Sequence, residues 1–91
     1  MQPSWWSKYD GPILEMLYES GKALPPRVIL FNLEYEERAS PHRSTVKRRL
    51  KRLTDHELTE KVDDSGYYIL TDKGRSWVEG DLDNRDLEAD W

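Results

Sequence analysis

The apolar positions of this chain recur at helical spacing in four stretches and alternate in one place between them. Tyr9 to Ser20 carries Ile13, Leu14, Leu17 and Tyr18, the i, i+1, i+4, i+5 pattern of a buried helix face. Asp10 is placed to cap its start and Pro12 falls in its first turn. Gly21 stands where a helix end favours glycine. Lys22-Ala23-Leu24 reads as a short extended piece. Pro25-Pro26 then opens a second helix, from Pro26 to about Leu33 or Glu34. Val28, Ile29, Phe31 and Leu33 are too apolar for a free surface, so most of this helix is expected to be packed.

Residues 40 to 56 read as a third helix. Ser40 offers a hydroxyl for the N-cap and Pro41 suits the first helical position. Val46, Leu50 and Leu53 form one narrow apolar stripe. Ser44, Lys47, Arg48 and Lys51 point the opposite way, with Thr45 and Arg52 on one shoulder and Arg43 and Arg49 flanking the stripe. Leu58 to Asp63 alternates like a half-buried strand with Leu58 and Val62 inward. Asp64-Ser65-Gly66 is a turn signal, and Tyr67 to Leu70 is the returning strand. Thr71 caps a last helix, Asp72 to Glu79, with Trp77 and Val78 as packing residues and Gly80 as its stop. The order predicts an α+β fold: a three-helix core, a two-stranded wing directly after the third helix, and a C-terminal helix. That arrangement is a winged helix-turn-helix.

Charge sharpens the picture. The 91 residues carry a net charge of -4, yet 43 to 52 hold six Lys or Arg and no acid. The remainder carries 8 basic against 18 acidic side chains, or -10. The positive field is therefore local, on a body that repels nucleic acid. A helix apolar on one side and cationic on the other fits the major groove of DNA. The alternatives are a solvated basic face, or a winged helix used for protein contact, its basic face docking an acidic partner. The wing tip, Asp63-Asp64-Ser65-Gly66, is acidic and is not expected to grip phosphate. Prevalent acid with more Arg (eight) than Lys (six) suits work in high salt.

Residues near the start of a recognition helix face base edges. Arg43, Ser44, Thr45 and Arg48 are the candidates for bases, with His42 beside them. Lys47, Lys51 and Arg52 are candidates for phosphate, and Arg27 for a further backbone contact at the start of the second helix. Arg49 either joins them or pairs with an internal acid. Trp5, Trp6, Trp77 and Trp91 either cap the domain's own core or, with Leu82 and Leu87, form a dimer interface drawn from 1–20 and 72–91. Residues 81–91 read as an acidic tail or as a short helix packing on a partner subunit.

Length predicts one domain over 1–91. No cysteine is present, so disulfides and thiolate metal sites are excluded. Two histidines fourteen residues apart give no metal signature, and no nucleophile and acid converge on either, so neither an enzyme nor a cofactor is expected. No small-molecule ligand is evident. No apolar run approaches the ~20 residues that cross a membrane, which makes the cytoplasm the default compartment.

Several segments resemble the small winged-helix regulators of halophilic archaea and their viruses, the phage phi-H repressor type. They are Asp10 with Ile13-Leu14-Glu15, Pro26 to Ile29 with Asn32-Leu33, Val46 to Leu50, Leu58 to Val62, Gly66 to Thr71 with Gly74, and Gly80 to Asp83 with Asp86-Leu87. The resemblance spans about residues 4 to 88. It implies binding of double-stranded DNA, usually as a homodimer, and control of transcription, here as a repressor. Glu57 departs from it, standing where such proteins carry glycine after the basic helix. A left-handed cap would strain Glu, so the helix is expected to end differently. The linker before Ser40 is also longer than in the pattern.

Overall fold

The computed structural model describes residues 3–82. Its elements are α1 (Asp10–Ser20), α2 (Pro26–Tyr35), α3 (Arg43–Asp55), β1 (Thr59–Val62), β2 (Tyr67–Leu70) and α4 (Asp72–Val78). The chain is thus an α+β winged helix. Ile13, Leu14 and Leu17 of α1, Ile29 and Leu33 of α2, and Val46, Leu50 and Leu53 of α3 meet in one core that excludes water almost completely. Each helix contributes its apolar stripe and leaves its polar side out. α4 lies on α1 and closes the core from the far end.

The wing is an antiparallel pair in the register Thr59↔Leu70, Glu60↔Ile69, Lys61↔Tyr68, Val62↔Tyr67. Leu24 adds an isolated bridge to Tyr68, with both backbone hydrogen bonds at 2.9 Å. The extended piece between α1 and α2 therefore runs as a third rung beside β2. Thr59, not Leu58, begins the strand on its buried side. Leu58 is also fully buried, but it enters the core from the turn that ends α3.

That turn corrects one expectation. Glu57 does take the left-handed conformation, φ +64°. Its N–H donates to the Thr54 carbonyl and that of Leu58 to the Leu53 carbonyl, both at 2.9 Å. These two hydrogen bonds satisfy the Leu53 and Thr54 carbonyls, and full burial of Leu58 holds the turn in place against the strain in Glu57. α2 ends the same way around Glu37 at φ +56°, with Arg38 N–H on the Leu33 carbonyl.

Two helix starts also differ from the sequence reading. α3 begins at Arg43, not Pro41, and its N-cap is His42, not Ser40. The His42 Nδ1 accepts the Ser44 N–H at 3.3 Å and lies 2.9 Å from the Ser44 hydroxyl. With the cap made by the His42 ring, Pro41 lies buried ahead of the helix. α1 is capped by no side chain at Tyr9, and Asp10 lies within its first turn. The Asp10 carboxylate reaches back to the Ser7 N–H (2.9 Å), and the Ser7 hydroxyl accepts the Tyr9 N–H (3.1 Å). This reciprocal closure organises the turn before the helix.

Gly74 has a packing role. It lies buried within α4, where a Cβ would come 2.2 Å from the Leu58 carbonyl oxygen and 2.6 Å from Leu70 Cδ1. Only a residue without a side chain lets α4 approach the wing base this closely. Thr71 caps α4 as expected, its hydroxyl accepting the Gly74 N–H at 3.0 Å.

Candidate nucleic-acid interface

α3 divides its residues by face. Val46, Leu50 and Leu53 have no exposed surface at all. Arg43, Ser44, Lys47, Arg48, Lys51 and Arg52 are exposed and Thr45 is half-buried. Among the described residues Arg43, Lys47, Arg48 and Lys51 enter no ion pair, so their charge is offered to solvent. Arg48 is steadied by one hydrogen bond, Nη2 to the Thr45 hydroxyl at 3.2 Å.

Arg49 is the exception. Its Nε donates to Asp10 Oδ1 at 2.9 Å, its Nη2 to Asp10 Oδ2 at 2.8 Å and to the Trp5 carbonyl at 2.7 Å. Asp10 is fully buried. Its hydrogen bond and charge hold the Arg49 guanidinium still more firmly protonated than usual, against the opposing effect of burial. Arg49 thus serves the fold: a fork on a buried carboxylate fixes the rotation of α3 relative to α1.

The free cations of α3 do not stand alone. Arg43 and Lys47 face Arg27 of α2 and Lys61 of β1 across an open cleft of about 430 Å³, with Tyr67 on the wing side. No acid lines it. The N-terminus of α2 opens onto the same space, and its helix dipole adds to the positive potential. Three elements therefore direct charge of one sign into one concavity, which focuses the field on an anion. The other flank of α3 presents Arg48, Lys51 and Arg52 beside Trp5 and Asp55.

Of the sequence-derived candidates, Arg27, Arg43 and Lys47 share the cleft, Arg48, Lys51 and Arg52 lie on the other flank of α3, and His42 acts first as a helix cap. Lys61 was missed. It is exposed on β1, two residues before the acidic tip, and reaches the cleft only through the fold of the wing. Asp63 and Asp64 are exposed at that tip.

The terminal aromatics pack inward. Trp5 is 8% exposed and stacks on His56 with ring centroids 3.8 Å apart and planes 6° apart. Trp6 tilts against Trp77 of α4 at 4.8 Å. Trp6, Trp77 and Leu82 are half-buried on the core's edge. Leu87 and Trp91 lie outside the described residues. His56 has its basicity lowered, first by burial and then by the Arg52 charge, with Lys73 and Arg49 adding to this and Asp55 opposing it.

A family model described as winged helix-turn-helix phage repressor matches residues 2–90. Among solved structures, the chain is similar to the PhiH1 repressor-like protein from Haloarcula marismortui. That likeness has 29% identity and a TM-score of 0.77, and covers 98% of this chain and 91% of the other. No curated protein matches. Among the described residues no helix is long and apolar enough to cross a membrane.

Proposed function

This chain belongs to the winged helix-turn-helix phage repressor family, and on that premise we propose that it binds double-stranded DNA and represses transcription. One observation carries the reading. Arg43, Lys47, Arg48 and Lys51 stand exposed, without acidic partners among the described residues, on a helix whose opposite side is fully buried. α3 enters the major groove. Arg43, Ser44, Thr45 and Arg48 read base edges, with His42 holding the helix start. Arg27 and Lys61 take phosphates on the wing side, and Lys47, Lys51 and Arg52 take others along the helix. Bound this way, the protein occludes a promoter.

The 91 residues act as one domain, and two copies bind together. Trp6, Trp77 and Leu82, with Leu87 and Trp91, supply the contact between them. Trp5 supports it from beneath, through Trp6. A dimer sets two α3 helices about 34 Å apart, one turn of DNA, and the operator is then palindromic.

The test is a duplex titration of wild type and Arg48→Ala/Lys51→Ala at two salt concentrations, with folding verified at each. Wild-type affinity falls steeply as salt rises, and the variant binds weaker with a shallower slope. Salt-independent or unaltered binding rejects the reading. Selection from a random duplex pool then reports the operator and its symmetry.

A further inference from the structure

Phe31 contradicts the expectation that it packs with Val28, Ile29 and Leu33, and Tyr35 one turn on is open as well. They are the two most exposed large apolar side chains described, 62% and 76% accessible. Their rings stack on each other, centroids 5.8 Å apart and planes 11° apart, and point away from the core. Two aromatic rings side by side in water leave a large apolar area unburied, which is the usual mark of a contact surface. Exposed Glu34, Glu36 and Glu37 lie beside them. The nearby cation, Arg38, is already held by Glu19 and Glu36 and feels Glu15 as well. The collar around the rings is therefore net negative.

Position adds a second constraint. Arg27, Phe31 and Tyr35 follow each other at four-residue steps, about 6 Å each, along one line of α2. That line starts in the cationic cleft and leads away from it. A protein seated on Phe31 and Tyr35 stands next to whatever fills the cleft.

We propose that the outer face of α2 docks a second protein whose surface is cationic around an apolar pocket. The glutamate collar selects that charge by itself. A duplex in the cleft selects it again, a clause that rests on the DNA reading above. An acidic partner is repelled by both neighbours. Phe31 and Tyr35 supply the apolar anchors, and the glutamates supply register and sign discrimination.

The probe is a short amphipathic helical peptide, leucine on one face and arginine on the other, titrated into isotope-labelled full-length protein and followed by amide shifts. Its counterpart with glutamate for arginine is the charge control. The arginine peptide is expected to shift α2 and its C-terminal turn, and Phe31→Ser/Tyr35→Ser to weaken it by about tenfold or more. Both substitutions lie on the surface, so the variant is expected to keep wild-type melting and duplex binding. That second measurement separates this surface from the DNA site. Loss of duplex binding in wild type sinks the DNA reading and leaves the peptide result standing. Equal peptide affinity in the double variant overturns the docking face, as does equal binding of the glutamate peptide. A concentration-dependent dimer in sedimentation that the double variant abolishes also overturns it, by giving the face to a second copy.

Discussion

Arg49 and Asp10, thirty-nine positions apart, are joined by two nearly parallel hydrogen bonds of 2.9 and 2.8 Å. The arginine is 19% exposed and the carboxylate has no exposure. Arg49→Ala leaves a buried carboxylate with only its Ser7 contacts, and breaking a buried pair of this kind costs about 3 kcal/mol. Denaturant unfolding is expected to show a lower midpoint with an unchanged slope. DNA affinity, corrected for the unfolded fraction, is expected to change far less than in Arg48→Ala. A larger loss in Arg49→Ala than in Arg48→Ala would place Arg49 on the DNA instead.

Glu57→Gly relieves a left-handed residue that carries a side chain, at φ +64°. A non-glycine residue there costs on the order of 1 kcal/mol. The variant is therefore expected to melt several degrees higher, since about 1 kcal/mol shifts a domain of this size by ~4–8 °C. Glu37→Gly at the end of α2 is expected to act in the same direction. Calorimetry of the two single variants and the double variant checks both, and near-additive gains are expected because the turns end different helices.

Gly74→Ala places a methyl group 2.2 Å from a backbone oxygen that anchors the wing base. The Leu58 carbonyl also accepts the Thr71 N–H at 3.2 Å, so it is not free to move away. Overpacking of this kind costs roughly 1–3 kcal/mol. Thermal melting of Gly74→Ala is expected to fall, and hydrogen exchange at Tyr67 to Leu70 to accelerate as α4 backs off the hairpin.

His56 makes stability depend on pH. Burial and the Arg52 charge lower its proton affinity in the folded chain, so the unfolded chain takes up the proton first. Its contribution is complete above the ordinary value near 6.5, and it is lost as pH falls from there through the lowered folded value. Unfolding free energy is expected to drop between pH 7.5 and 5.5 in wild type and to stay flatter in His56→Phe, which keeps a ring against Trp5. Equal pH dependence in both would exclude His56 as the source.

Lys61→Ala tests the wing side of the cleft. If the lysine neutralises one phosphate, the slope of log affinity against log salt shrinks by about 0.9. An unchanged slope would leave the wing off the DNA. Asp63→Ala with Asp64→Ala is expected to raise affinity through lost repulsion, without altering sequence preference.

The helices and the hairpin were legible because periodicity reports which face of an element meets the core, and every residue of the α3 stripe is buried. Details set by a single geometric competition were less so. Ser40-Pro41 satisfies the rules for a helix start, yet the His42 ring reaches the Ser44 amide and moves the boundary. Phe31 looks like a core residue by composition, but α2 turns it outward because Ile29 and Leu33 already occupy the inner side. The sequence left Arg49 open between two roles, since its acid comes from another helix. Lys61 stayed hidden because the cleft it faces exists only once the wing folds against α2.

The Leu24–Tyr68 bridge has a consequence for tolerance. It ties the segment leading into α2 to Tyr68 of β2, whose other edge pairs with Lys61 of β1. Arg27 and Lys61, which face α3 across the cation-lined gap, therefore stand on one backbone frame, and their spacing is a built-in gauge rather than an adjustable jaw. A ligand of the wrong width is not accommodated by spreading; it must itself deform, or be refused.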